Sequence, residues 1–349
     1  MSISKKSFSL LLILAALIIF FNVSAQAAPK PKESIDPKLL AAAQAGDPMA
    51  QLNAALAYFN GTNAPLDKAE ALEWFHKAAE HGVSTAQYYL AIIYDTGDGC
   101  PQDKVKALEW YQKAAEQGYA LAQFNIAVKY DAGVDTHQDK ALAIKWYQKA
   151  AEQGYALAQY NLAVIYDSGD GYPQDKAKAM EWYQKAAEQG YALAQYNLAI
   201  FYENGEGGRQ DKKKAFYWYQ KAAEQGYAMA QYNLAVMYDT GELVSQDKET
   251  AFQWYKKAAE QGHVLAQYNL AVCYDQSEGT TENKQLAFQW YQKAADQGLA
   301  EAQYNLANCY ETGEGVAVDK AKAFEWYKKA AAQGLNQAAS KLKGTTGNR

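Results

Sequence analysis

The stretch Ala158-Gln159-Tyr160-Asn161-Leu162-Ala163-Val164-Ile165-Tyr166 decides the fold. On a wheel of about 100° per residue, Ala158, Leu162, Ala163 and Tyr166 gather on one side, as in a helix with one packed face. Gly169 ends this helix, and a turn, Asp170-Gly171-Tyr172-Pro173-Gln174, leads to Asp175, placed to cap a second helix. The second helix carries Trp182 among small residues, with Ala186 and Ala187 four and five positions on, and Gly190 stands where it must stop with a positive φ. The unit is helix A, turn, helix B, turn.

The same unit recurs in both directions. Trp occurs at 74, 110, 146, 182, 218, 254, 290 and 326, always 36 apart, and these are all eight Trp of the protein. Asp103, Asp139, Asp175, Asp211, Asp247 and Asp319 hold the B-helix cap position. Eight units (48–83, 84–119, 120–155, 156–191, 192–227, 228–263, 264–299 and 300–335) take up 288 of 349 residues, which excludes a single conventional core. The fold class expected is all-α: a right-handed α/α solenoid of eight 36-residue repeats with half-repeat caps. Residues 36–47 read as an N-terminal capping helix, with Asp36-Pro37 as its cap. Residues 336–349 read as a C-terminal capping helix and tail, broken near Lys343-Gly344.

Residues 1–27 have the pattern of a cleaved signal peptide: a basic start, an apolar run from Phe8 to Phe21 of about 14 residues, too short to span a membrane, and Ala25-Gln26-Ala27 for cleavage. Residues 28–35 follow as a polar linker. The formal charge is −5, and loss of Lys5 and Lys6 leaves 32 cationic against 39 acidic residues, or −7. Only Arg209 and Arg349 are Arg, so nucleic acid and, after cleavage, membrane are not expected as partners. Export implies an oxidising compartment. Cys273 and Cys309 nevertheless lie on equivalent helices whose axes are expected about 8 to 10 Å apart, too far for a disulfide.

With Ala-Gln-Tyr-Asn-Leu-Ala, then Tyr, Gly, Asp, Ala, Trp-Tyr, Ala-Ala and Gln-Gly recurring every 36 residues, the chain resembles the Sel1-like repeat proteins, relatives of the tetratricopeptide repeat. The resemblance implies an adaptor or scaffold without cofactor, and a monomer is expected. Three departures stand out: Ser277 and Asn283 replace the usual Gly and Asp, and Lys129 sits at a mostly apolar position. A locally looser turn is expected at Ser277.

In such arrays the A helices are expected to line the concave side, where a protein or peptide partner would lie. The candidate residues there are Leu121, Phe124, Asn125 and Asp131; Leu157, Tyr160, Asn161 and Asp167; Leu193, Tyr196, Asn197 and Glu203; and Met229, Tyr232, Asn233 and Asp239. Repeated aromatic and aliphatic residues on a surface mark an interaction site, but stacked A helices would also bury the flanking tyrosines, and both readings stand. Asp and Asn are expected exposed, Gln123, Gln159, Gln195 and Gln231 structural, and Trp core in every copy. Lys104, Lys113 and their equivalents are expected on the solvated face of helix B.

No catalytic residue, metal ligand set or cofactor site is expected, because the four His are scattered and the Asp-Gly turns lack calcium-loop spacing. Ser245-Gln246-Asp247-Lys248 and Ser340 to Lys343 match Ser-x-x-Lys, yet no Ser-Asp-Asn or Lys-Thr-Gly completes a penicillin-binding site. The reading is an exported, non-enzymatic bacterial scaffold of the periplasm or exterior. The alternative is recognition of cell-wall glycan or peptide with weak β-lactam binding. A eukaryotic secretory lumen, with glycosylation of Asn60-Gly61-Thr62, is a third context.

Overall fold

The computed structural model describes residues 34–346, with side chains as far as Lys343. The expected signal peptide and most of the 28–35 linker lie outside the described residues. Among the described residues, eighteen helices and no strand occur: α1 (Pro37–Gln44), α2 (Pro48–Asn60), α3 (Lys68–Glu80), α4 (Ser84–Thr96), α5 (Lys104–Glu116), α6 (Ala120–Ala132), α7 (Lys140–Glu152), α8 (Ala156–Ser168), α9 (Lys176–Glu188), α10 (Ala192–Asn204), α11 (Lys212–Glu224), α12 (Ala228–Thr240), α13 (Lys248–Glu260), α14 (Val264–Gln276), α15 (Lys284–Asp296), α16 (Ala300–Thr312), α17 (Lys320–Ala332) and α18 (Asn336–Thr346). This is the all-α helix-pair architecture of an α/α solenoid. The chain divides into two compact units, one up to Lys185 and one from Ala186 onward. Helix α18 runs through Gly344, so the break expected there does not occur.

Local chemistry sets each boundary. B helices open on a carboxylate or amide that accepts a backbone N–H two or three residues on, as Asp103 does from Lys106 at 3.0 Å and Asn283 from Leu286 at 2.9 Å. Helices α2, α4, α6, α8, α10, α12 and α16 end at a left-handed Gly. Ser277 adopts the same conformation, at φ 60°, and its N–H still bonds the Cys273 carbonyl. That turn keeps the repeat's geometry; only its residue is unusual. Five of the A–B turns are tied by a Gln side chain to the end of helix A, as from Gln138 to the Asp131 carbonyl at 2.7 Å.

Within each unit the core is built of small residues and one deep aromatic per B helix. Ala107, Ala114 and Ala115, like Ala122 and Ala127 of the next A helix, are buried and let the backbones approach closely. The deepest large side chain is the aromatic that follows each Trp, Phe75 in the first repeat and Tyr in the others: Phe75, Tyr147, Tyr219, Tyr255 and Tyr291 are at most 1% exposed. Trp74, Trp146 and Trp218 are buried, whereas Trp110, Trp254, Trp290 and Trp326 are half-buried with a Lys ammonium about one turn on over the ring. Lys113 and its equivalents therefore lie on indole faces, a cation–π contact. The expectation that Trp is core in every copy holds at Trp74, Trp146 and Trp218 and is corrected at Trp110, Trp254, Trp290 and Trp326, which flank the core.

Adjacent repeats are joined by polar ladders. Gln87, Gln123, Gln231 and Gln267 each donate to a carbonyl of the preceding B helix at 3.0 to 3.2 Å and accept from the Gln that ends their own repeat's B helix at 2.6 to 2.8 Å. Gln195 does the same in the second unit. These are buried amides with satisfied groups, a structural role.

The first unit contains a deviation. Lys129, nearly buried, pairs with Asp95 at 3.0 Å and Asp135 at 2.8 Å, and Lys104 joins the same two carboxylates at 2.8 and 3.6 Å. Asp135 has φ 63°. Burial pushes its carboxyl upward, but the hydrogen bond and charge of Lys129, with Lys104 behind, outweigh this and hold it below the usual carboxylate range. A carboxyl depressed in the folded state stabilises fully above its unfolded value of about 3.9 and stops doing so as pH falls through the folded value. Urea midpoints between pH 7 and pH 2.5 are expected to fall less steeply below about pH 4 in Asp135→Asn than in the parent. Parallel profiles would contradict the assignment.

Candidate partner-binding face

Helix A buries the arc centred on its Ala-Leu-Ala residues, and the opposite arc is centred on its second and ninth positions, Leu157 and Val164 in α8. Residues at positions five, six and twelve flank that arc, and the structure shows what becomes of each.

The position-five rings are packed. Phe124 meets Tyr147 and Tyr155 with centroids 5.8 and 5.1 Å away, Tyr196 meets Tyr219 and Tyr227 at 5.8 and 5.0 Å, and Tyr232 meets Tyr255 and His263 at 6.0 and 4.6 Å. Tyr160 meets Tyr183 at 5.9 Å. Phe124 and Tyr160 are buried, whereas Tyr196 and Tyr232 are half-buried. In the first unit, Leu157 and Asn161 are buried as well and offer no surface, while Leu121 and Asn125 are half-buried.

The position-six amides bind back to the preceding repeat. Asn125 donates to the Tyr88 hydroxyl at 3.3 Å, Asn161 bonds the Tyr147 hydroxyl, and Asn233 bonds those of Tyr196 and Tyr219. Asn197 is half-buried. The expected exposure of the carboxylates is corrected too: all four candidates are half-buried and held. Asp131 accepts from Lys140 at 2.5 Å and from the Tyr147 hydroxyl at 3.5 Å. Asp167 accepts from Lys176 and, at 3.3 Å, from Tyr183. Glu203 accepts from Tyr219 at 2.6 Å, and Asp239 from Lys248 at 2.6 Å and Tyr255 at 3.2 Å. Lys104, Lys140, Lys176, Lys248 and Lys284 are thus partners of helix A rather than members of a solvated row, whereas Lys212 binds Glu242 of the following turn and Lys320 is exposed. Burial first, and then these carboxylates, push the buried Tyr hydroxyls well above their ordinary range.

The open surface is the position-two row of the second unit. Leu193 is half-buried, Met229 is 44% exposed and Leu265 is 39% exposed; Ile200, Val236 and Val272 at position nine are half-buried beside them. Leu265 was not among the residues the sequence singled out, although its spacing of 36 from Met229 was the available signal.

The Sel1 repeat model matches residues 48–83, 84–119, 120–155, 156–191, 192–227, 228–263, 264–299 and 300–335. The chain belongs to the Sel1 repeat family. It is similar to c5321, a protective antigen present in uropathogenic Escherichia coli strains displaying an SLR fold, with 38% identity over 88% of this chain and 66% of that one, at a TM-score of 0.84. It is also similar to a Sel1 repeat protein from Oxalobacter formigenes, with 31% identity over 95% of this chain and 99% of that one, at a TM-score of 0.66. No match was found among curated proteins. The chain thus spans slightly under two thirds of the length of the antigen. Sel1 repeat proteins generally mediate protein–protein interactions, and the family is generally non-enzymatic.

The structure also places the Ser-x-x-Lys match at Ser245 of this Sel1 repeat protein. Ser245 is exposed in a turn, and Lys248 is bound to Asp239 and Glu278. The hydrogen bond that Lys248 donates to Asp239 raises the Lys248 pKa, so this ammonium is poorly suited to act as a base toward Ser245. Among the described residues no group of three or more His, Cys, Asp or Glu could hold a metal, and no helix is long and apolar enough to cross a membrane. Cys100, Cys273 and Cys309 are free thiols, and burial pushes those of Cys273 and Cys309 up to about 12.

Proposed function

We propose that the protein is exported after cleavage behind Ala27 and acts in the bacterial periplasm or outside the cell as a non-enzymatic scaffold, holding a segment of a partner protein on the A-helix face of its second unit. The observation that carries this reading is the pair Met229 and Leu265, one repeat apart, whose aliphatic side chains stay exposed beside half-buried Leu193 although neighbouring positions are packed. A contiguous apolar strip of this kind loses water on docking, which drives association. The likeness to a protective antigen supports placing the chain where a host could meet it.

The test is affinity capture from native extracts and culture fluid with the parent and with Met229→Ser/Leu265→Ser. Both positions are exposed, so the double variant is expected to keep its helical circular dichroism and melting midpoint. A partner held by the parent and lost by this folded variant is the expected result; equal capture moves the site off this face. Intact mass of the protein recovered from an expressing bacterium should show the loss of residues 1–27, and an uncut chain would refute export by cleavage.

A further inference from the structure

We propose that the last residue of each repeat decides whether position two of that repeat's A helix is covered, and that His263 and Leu299 are the positioning residues that place the docking face at Met229 and Leu265. This rests on the scaffold reading above and adds what sets the limits of its site.

Four consecutive repeats end on Tyr119, Tyr155, Tyr191 and Tyr227, whereas the first, sixth and seventh end on Val83, His263 and Leu299. A terminal Tyr turns its ring back onto the A helix of its own repeat. Tyr119 lies with its ring centre 5.0 Å from that of Tyr88, and Tyr227 5.0 Å from that of Tyr196, both partners standing at position five. The Tyr119 hydroxyl reaches further and bonds Thr85, at position two. Positions two and five are neighbours on one helix face, so a single phenol spans both.

His263 is too short to do this and is held elsewhere. Its ring stacks on Tyr232 at 4.6 Å, and its Nδ1 accepts the Ala266 N–H at 3.2 Å, which ties it to the start of α14. The terminal Tyr119 and Tyr227 make no such cap bond. Leu299 and Val83 carry no ring at all. Exposure follows this division. Position two is half-buried at Thr85, Leu121 and Leu193, whose repeats end on Tyr, and exposed at Met49, Met229 and Leu265, whose repeats do not. Leu193 and Leu265 are the same residue at the same position, so the difference lies in what covers them.

Peroxide oxidation of purified full-length protein, read at each Met by mass spectrometry, measures the cover, with exposed Met49 and buried Met237 as internal references. His263→Tyr is expected to slow oxidation of Met229 about threefold and leave Met49 unchanged, while His263→Leu, which copies the end of the next repeat, changes neither. In the reverse exchange, Tyr227→Leu should speed maleimide labelling of Leu193→Cys about threefold, and this arm decides the matter should His263→Tyr fail to keep its helical circular dichroism. Unchanged Met229 oxidation in folded His263→Tyr, or unchanged labelling with Tyr227→Leu, overturns the proposal. In the capture assay, His263→Tyr/Leu299→Tyr is expected to lose the partner although both aliphatic side chains remain. Capture that persists while Met229 is protected overturns the positioning role; if Met229→Ser/Leu265→Ser still abolishes capture, the scaffold reading survives that failure. Capture that also persists in Met229→Ser/Leu265→Ser refutes the scaffold reading on this face, and the positioning role falls with it.

Discussion

Tyr255→Ala is expected to cost about 4 kcal/mol, and Trp254→Ala in the same helix roughly half as much. Tyr255 is 1% exposed, its ring lies against Tyr232, and its hydroxyl reaches Asp239 at 3.2 Å. Truncation leaves a ring-sized cavity between two helices and removes a donor from a half-buried carboxylate. Trp254 is half-buried, with the Lys257 ammonium 3.9 Å from its ring centre, so part of its surface is already covered by a mobile, solvated chain. Tyr255→Phe, which keeps the ring, should cost only about 1 kcal/mol. Urea unfolding followed by circular dichroism measures all three. A Trp254→Ala loss larger than that of Tyr255→Ala would restore Trp to the centre of the core.

The inversion of Trp and Tyr shows where the sequence is legible and where it misleads. A capping Asp and a terminal Gly each act over a few residues, and the structure repeats their geometry even where Asn283 and Ser277 replace them. Which side chain is deepest depends on its direction around the helix axis. Four residues make slightly more than one turn and three slightly less, so Tyr111, four after Ala107 and three before Ala114, points between the directions of Ala107 and Ala115. Trp110, three after Ala107, falls on the other side of Ala107 and beyond Ala114, outside the arc that the small residues define. The small residues therefore centre the buried arc on Tyr, and size and rarity drew attention to Trp instead. The candidate face fails by the same reasoning. Positions five and six flank the open arc, and each is covered from outside its helix, Phe124 by Tyr155 at the end of its own repeat and Asn125 by Tyr88 of the preceding one. Coverage of that kind joins residues 31 to 37 apart and leaves no mark in either helix alone. Position two lies farthest round and is exposed at Met229 and Leu265, of which Met229 was legible and Leu265 was passed over.

Gly279→Ala is expected to cost about 3 kcal/mol or more, and Gly262→Ala about 1 to 2 kcal/mol. Both glycines have positive φ, 69° and 91°. A Cβ on Gly262 would meet nothing within 4 Å, so only the left-handed backbone opposes it. A Cβ on Gly279 would lie 2.0 Å from the Lys248 carbonyl oxygen and 2.4 Å from its carbon, and neither belongs to a flexible group. The turn after α14 would have to leave the start of α13, taking with it the Glu278–Lys248 ion pair at 3.3 Å. Hydrogen exchange should then quicken at that turn and in the first turn of α13, while Gly262→Ala leaves both protected. The first unit shows what a side chain at this position needs: Asp135 stands there at φ 63° and binds Lys129, which occupies the place of Cys273. Cys273→Lys/Gly279→Asp should accordingly recover part of the stability that Gly279→Ala loses, because the added carboxylate gains two ammonium partners, Lys248 and the new one, as Asp135 has in Lys104 and Lys129. A double variant no more stable than Gly279→Ala would mean that backbone displacement, not the missing partner, sets the cost.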